Sequence, residues 1–402
     1  VSVGPSASWT KCQLGQVPVG PSVRWTKCQM DQVSNRPSLT PPSKCVRLIR
    51  LSPSQPLRLP HVQPLPPRPS AAPICRHVMY RPLPRYLVWI AYDGSRFSEM
   101  AKGGTGFGVL DLFEQVVAAN LFGPRSREQP AGSSSIRFSP SSRTDAHVHA
   151  LRNSVILQVP HERANFDDSP TNKERVLNGW NTLSQTTVPG GLSFLDIHRV
   201  SPGFCIRRSV AYRKYTYRLA IRKSDLDDFL AVTPSIACFS ERHYAWLLPS
   251  GFCTERATKA CELFKGVHVM GSFMKHTARE KRLEPRPPDA IRNILQVCIY
   301  KGAPYAVDND LYDYYNISVV ARSFLREQIR RMVSCVVLHA YGVLPLHTIH
   351  WLLRNPCSSN FQDRKISVAP PEGLFLTDVV YNTDDFLNPS PYFSHSWDDE
   401  AD

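Results

Sequence analysis

Apolar positions fall at strand and helix spacings from Arg85 onward, and no such periodicity precedes it. Residues 85–92 read as a strand, with Leu87, Val88, Trp89 and Ile90 in one run. Further strands are predicted over 136–139, 154–159, 193–200, 214–222, 291–300, 312–320 and 374–381. Helical spacing appears over 109–121 (Leu112, Val116, Ala119), over 172–183 behind Thr171 as N-cap, and over 255–264, closed by Gly266. The strongest amphipathic stripe is Leu325, Ile329, Met332, Val333, Val336, Val337 and Ala340, which predicts a helix over 323–341 stopped by Gly342.

Strands and helices without regular β-α-β alternation predict an α+β fold with an antiparallel or mixed sheet rather than a doubly wound one. A loose stretch near 225–240 divides the pattern into two similar halves, residues 85–235 and 236–385, followed by an acidic tail over 386–402. The 402 residues are 42% hydrophobic, enough to bury a large core.

Residues 1–84 are Pro-, Ser- and Arg-rich, and Val3-Gly4-Pro5-Ser6…Trp9-Thr10-Lys11-Cys12-Gln13 recurs from Val19 to Gln29. Two copies are too few for a stacked repeat fold. The basic, acid-poor composition suits a mitochondrial transit or flanking segment, although its prolines interrupt the amphipathic helix such a segment uses. A disordered RNA-binding tail and artefactual translation are the other readings left open.

Charge changes the picture only when divided by region. Formal net charge is +14, which invites a nucleic-acid partner. Residues 1–85 hold twelve Lys/Arg against Asp31 alone, so the rest of the chain is only slightly basic. Local clusters must therefore carry any RNA-binding argument. The eleven cysteines form no C-x-x-C pair, which argues against a zinc site or a disulfide framework. No apolar run approaches the length of a membrane span.

Gly103-Gly104-Thr105-Gly106-Phe107-Gly108 lacks the spacing and the distal acid of a dinucleotide-binding loop, and reads as a flexible loop. Asp308-Asn309-Asp310 lacks the glycine and terminal glutamate of a calcium loop, and reads as a turn. His347 and His350 sit one helical turn apart with no third ligand placed, so no metal is assigned. Arg213-Lys214-Tyr215-Thr216-Tyr217-Arg218 alternates along a strand, with Tyr215 and Tyr217 on one face and Lys214, Thr216 and Arg218 on the other. Such a strand can offer a stacking ring beside phosphate-binding cations, or simply bury a pair of tyrosines.

Ser142-Arg143-Thr144-Asp145-Ala146-His147-Val148-His149-Ala150 places a cation and a carboxylate on one polar loop between strands, where chemistry is often carried. It resembles the catalytic loop of TruA-type tRNA pseudouridine synthases, with His147 in place of a glycine. Phe204, Arg207, Ala211, Tyr215 and Tyr217 resemble a second block of that family. The run from Arg322 to Val333, with Arg330 at the family's helix arginine, resembles a third. The stretch from Ala369 to Tyr381 resembles its closing strand. Tyr92-Asp93-Gly94 resembles the opening motif, but Ser98-Glu99-Met100 replaces the usual continuation. Val269 and Met270 likewise replace an acidic-aromatic pair after His268.

The resemblance implies a pseudouridine synthase fold of two α+β halves sharing a mixed or antiparallel sheet, with a basic central RNA-binding cleft. It implies isomerisation of uridine in tRNA, in or near the anticodon stem-loop, without metal or organic cofactor. Asp145 would be the nucleophile. Arg330 would pair with Asp145 and keep it ionised, and Tyr215 would stack on the target base and move a proton. Arg143 would fill the space vacated by the flipped uridine. Arg207, Lys214 and Arg326 would contact RNA, with Arg326 and Arg331 on a solvated helix face. The family commonly works as a homodimer. Two alternatives stand beside this reading: a non-catalytic RNA-binding or chaperone-like protein on the same fold, motivated by His147 and the altered third block, and a nucleotide-dependent oxidoreductase, motivated by the glycine-rich loop alone.

Overall fold

In the computed structural model, strand β1 (Arg85–Tyr92) is apolar almost throughout because both of its faces are covered. It lies between β3 (His149–Gln158) and β4 (Leu192–Val200), antiparallel to both. The structure describes residues 83–101, 107–123, 136–163, 169–223, 241–275, 290–305, 311–357 and 359–393. All of these belong to one compact unit, His77–Asp402. The expectations for residues 1–82, most of the glycine-rich loop, the loose stretch at 225–240, the turn at 308–310 and the acidic end therefore fall outside the described residues.

The remaining strands are β2 (Arg137–Pro140), β5 (Val210–Arg222), β6 (Trp246–Leu248), β7 (Gly266–Val269), β8 (Ile291–Lys301), β9 (Tyr312–Ala321) and β10 (Leu374–Tyr381). Together they form one mixed sheet in the order β4-β1-β3-β10-β5-β9-β8-β7, with β2 beside β3 and β6 beside β5. The predicted α+β class with a mixed sheet is what the chain adopts. Among the described residues only the β10–β3 and β5–β6 pairings are parallel. The last strand is thus inserted mid-sheet, which fixes long-range register: Ala150, Leu376, Tyr215 and Val319 form one row across four strands.

Helices α1 (Val109–Phe122) and α2 (Pro170–Thr187) pack against each other and the β4 end of the sheet. Trp180, fully buried, lies on Phe194. A bulge in β4 leaves Leu195 unpaired with β1, and the Asn181 side chain serves both the N–H and the C=O of Phe194, at 2.8 and 2.9 Å. Helix α2 begins earlier than its periodicity suggests, with Pro170 in its first turn and Ser169, not Thr171, at the N-cap.

Helices α3 (Thr254–Glu262) and α4 (Gln328–Ala340) pack together at the other end, with α3 also on β8. Two short helices follow, α5 (Leu346–Arg354) and α6 (Asn360–Asp363). Helix α4 starts five residues later than predicted. Glu327 adopts a left-handed φ of 60°, and the Gln328 side chain accepts from Leu325 N–H at 2.8 Å, so residues 323–327 form the approach rather than the first turn. The expectation of a solvated Arg331 is also overturned. Its guanidinium is buried, 4.8 Å from the Phe361 ring and 3.1 Å from Glu327. Among the described residues no helix is long and apolar enough to cross a membrane.

Candidate active site

The loop from Ser141 to Val148 leaves β2 and enters β3, and its shape is set by buried polar partners on three strands. Arg213 on β5 is buried and points into this loop: Nε donates to Ser142 Oγ at 2.6 Å and Nη2 to Ser141 O at 2.8 Å. Its Nη1 donates to the carbonyl of Arg322, so one guanidinium ties the loop to the approach of α4. Asn153, fully buried on β3, donates to Ser142 O at 2.9 Å. The Tyr92 hydroxyl on β1 is 2.9 Å from Thr144 Oγ1.

Residues Asp145 to Val148 close a turn, with Val148 N–H donating to Asp145 O at 3.2 Å. His147 takes φ 63°, the left-handed region that a glycine occupies without strain. The turn rests directly on Gly94. A Cβ there would lie 2.3 Å from Val148 O, which explains why the tight Tyr92-Asp93-Gly94 bend carries a glycine.

This scaffold presents Asp145, whose side chain is 24% exposed, to Arg330 on the first turn of α4. Arg330 Nη1 lies 2.9 Å from Asp145 Oδ2, and Nε donates to Ala369 O at 2.8 Å. The second carboxylate oxygen, Oδ1, takes no hydrogen bond among the described residues. The Ala369-Pro370 segment is itself fixed by Tyr217, whose buried hydroxyl donates to Pro370 O at 2.6 Å. Tyr215 lies on the same face of β5, packed edge-to-face on Phe324 at 5.2 Å. Burial raises its hydroxyl above the ordinary tyrosine range, against the pull of Arg213, so the phenol stays protonated at neutral pH.

The other predicted residues divide. Arg143 is exposed beside Asp145, and Arg326 is exposed in the approach to α4. Arg207 is half-buried just before β5. Lys214 does not join the group: strand alternation turns it to the face of Thr216, away from Tyr215. Arg213 was missed, though it shares parity with Tyr215 and Tyr217. Among the described residues no group of three or more His, Cys, Asp or Glu side chains is placed to hold a metal.

A loop carboxylate is held by a helix arginine, beside a buried tyrosine on a central strand, and the chain is similar to tRNA pseudouridine synthases over its later part and to curated proteins of that name over most of its length. The family description "tRNA pseudouridine synthase" matches residues 260–382, which include Arg330 and β10. The chain is 28% identical over 300 residues to tRNA pseudouridine synthase-like 1 of Xenopus laevis, covering 74% of this chain and 91% of that protein. The corresponding human protein is 26% identical over 307 residues, covering 74% and 90%. The tRNA pseudouridine synthase A of Afipia carboxidovorans is 26% identical over 302 residues, covering 74% and 100%.

Proposed function

We propose that the chain isomerises uridine to pseudouridine in tRNA, with Asp145 as the catalytic carboxylate. The observation that carries this reading is the Asp145–Arg330 pair at 2.9 Å, with one carboxylate oxygen engaged and the other open. The reaction breaks the bond between the sugar and N1 of the base, turns the base, and joins the sugar to C5. The C5 proton leaves and N1 gains one, so nothing is oxidised or hydrolysed. Such chemistry needs a carboxylate kept ionised and aimed, and a proton carrier near the turned base.

Arg330 supplies the aim, since its second donor is anchored on Ala369 O and its first on Asp145. Tyr215, protonated and held against Phe324, acts first as a hydrogen-bond donor and stacking wall for the base. Arg143, exposed beside Asp145, enters the gap left when the uridine flips. The target lies in or near the anticodon stem-loop, and the basic, acid-poor residues 1–84 serve mitochondrial delivery.

The deciding experiment uses a uridine-containing tRNA transcript and the Asp145→Asn variant. The change is isosteric and removes the negative charge. A loss of about 10³-fold or more, about 4 kcal/mol of barrier, is expected, with RNA affinity retained. Turnover within a few-fold of wild type sinks the assignment. RNA binding without product by the unaltered chain would favour the inactive RNA-binding reading.

A further inference from the structure

Behind the turn that carries Asp145 lie three polar groups for which the proposed reaction has no use: Asp93, His149 and Tyr244. His149 is 2% exposed. Its Nε2 is 2.8 Å from the carbonyl of His243, so that nitrogen carries a hydrogen. Its Nδ1 accepts from Gly94 N–H at 3.1 Å, and Asp93 Oδ1 lies 3.0 Å from the same nitrogen. Asp93 Oδ1 also accepts from Ser95 N–H at 3.0 Å and Ser95 Oγ at 2.7 Å, and Oδ2 accepts from the Tyr244 hydroxyl at 2.8 Å. The imidazole stacks on Phe375 of β10 at 4.6 Å and tilts against the Tyr244 ring at 5.2 Å.

The charges facing the cluster are few. Arg96 Nε is 3.6 Å from Asp93 Oδ2 on an exposed side chain, and Tyr305 stacks on Tyr244. Burial pushes the Asp93 carboxyl up, but the hydrogen bonds it accepts from Ser95 and Tyr244, together with its contact with His149, outweigh it and hold the group below its ordinary range. Burial and the neighbouring carboxylate push Tyr244 up to about 12, so its hydroxyl remains a donor.

These hydrogen bonds and ring contacts join four separate pieces of chain: the bend after β1, the first residue of β3, the segment before β6, and β10. Between the bend and β3 sits the Asp145–Val148 turn, resting on Gly94 where no side chain intervenes. Any shift of the bend moves that turn, and any loosening of His149 frees its exit. We propose that Asp93, His149 and Tyr244 form a clamp that positions Asp145 against its substrate. They are positioning residues, not catalytic ones, and the inference rests on the reading of Asp145 as the catalytic carboxylate. Displacement of a reacting group by about 1 Å can lower a rate by about 10²-fold, so a clamp of this kind acts on the chemical step.

The test compares the full-length wild type with Tyr244→Phe, Asp93→Asn, His149→Asn, the Asp93→Asn/His149→Asn pair and Asp145→Asn. Single-turnover rate at saturating enzyme, transcript Kd and thermal midpoint are measured for each. Asp93→Asn should slow the single turnover by about 30-fold or more, with Kd within about twofold. Tyr244→Phe keeps the ring and removes one O–H. It should slow turnover by about 3- to 10-fold at an unchanged thermal midpoint. The double variant should be little slower than the slower single one, because both members serve one device.

Wild-type single-turnover rates in folded Tyr244→Phe and Asp93→Asn overturn the clamp, as do rate losses that follow only a falling thermal midpoint. Should Asp93→Asn not fold, Tyr244→Phe decides alone. An inactive Asp145→Asn beside a fully active Asp93→Asn removes the clamp only. A fully active Asp145→Asn removes the catalytic reading and the clamp with it.

Discussion

Arg330 and Arg331 are neighbours in sequence and lie about 100° apart around α4, and the structure gives them opposite work. Arg330 reaches Asp145, whereas Arg331 is buried between Glu327 and the Phe361 ring. Arg330→Ala should lower the single-turnover rate by about 10²-fold, about 2.7 kcal/mol, with little change in thermal midpoint. Arg331→Ala removes one of the two cations on Glu327 and the packing on Phe361, and should destabilise by about 2 kcal/mol while the folded fraction turns over normally. Equal, small effects on rate and stability for both would show that this helix only packs. His147 is a second case of a residue set by backbone. Holding a side chain at φ 63° costs about 1 kcal/mol, so His147→Gly should raise the thermal midpoint and leave or improve the rate. A less stable glycine variant would show that the exposed imidazole makes a useful contact. At this scale the motif blocks singled out Asp145, Arg330 and Tyr215 as candidates and Lys214 as an RNA contact, while Arg213 was passed over. Both arginine and lysine flank the same tyrosines, and only strand parity separates them: residue 213 shares a face with 215 and 217. Asp93 and His149 carried no signal of their own, because their pairing spans 56 residues and exists only once β1 and β3 are side by side.

Elements buried on both faces were the most legible. The predicted bounds of β1 coincide with the observed ones, since it is a continuous apolar run with abrupt ends; those of β10 coincide as well, although Thr377 and Asp378 interrupt its apolar residues and one face is only half-buried. The start of β3 was hidden for the opposite reason. His149, Arg152 and Asn153 interrupt the apolar pattern, and two of these are buried polar groups that hold the site loop. Sites thus conceal the elements that carry them. The entry to α4 was misread because the apolar stripe runs on through Leu325, while Glu327 turns left-handed and breaks the helix there. That carboxylate joins two cations, Lys275 at 3.0 Å and Arg331 at 3.1 Å. Burial pushes Glu327 up, but the hydrogen bonds from these two cations prevail and depress it below its usual value. A depressed folded value means stability that is present above the unfolded carboxyl range and lost as pH falls through the folded one. Glu327→Gln should therefore lower the thermal midpoint at neutral pH. Its deficit against wild type should shrink as pH falls below about 4.5. A deficit that is constant from pH 7 to pH 3 would show that the charge contributes nothing.

The whole chain divides sharply by charge and pattern. The unit His77–Asp402 contains every described strand and helix, and its sheet is closed in the middle by the last strand rather than at an edge. Catalysis as proposed therefore depends on the chain being complete from β1 to β10, since Asp145, Tyr215 and Arg330 stand on elements that β10 brings into register. The first 85 residues hold most of the excess positive charge and little periodic apolar sequence. A chain beginning at residue 81 keeps β1 and the Val159 N–H to Pro84 O bond of 3.2 Å, and should fold with an unchanged single-turnover rate. Its affinity for RNA at low salt should fall, and the dependence of log K on log salt should become shallower, because each lost phosphate contact removes about one unit of slope. Unchanged salt dependence would show that the N-terminal cations do not touch RNA, and an unfolded or inactive truncation at low salt would show that residues 1–80 belong to the folded enzyme.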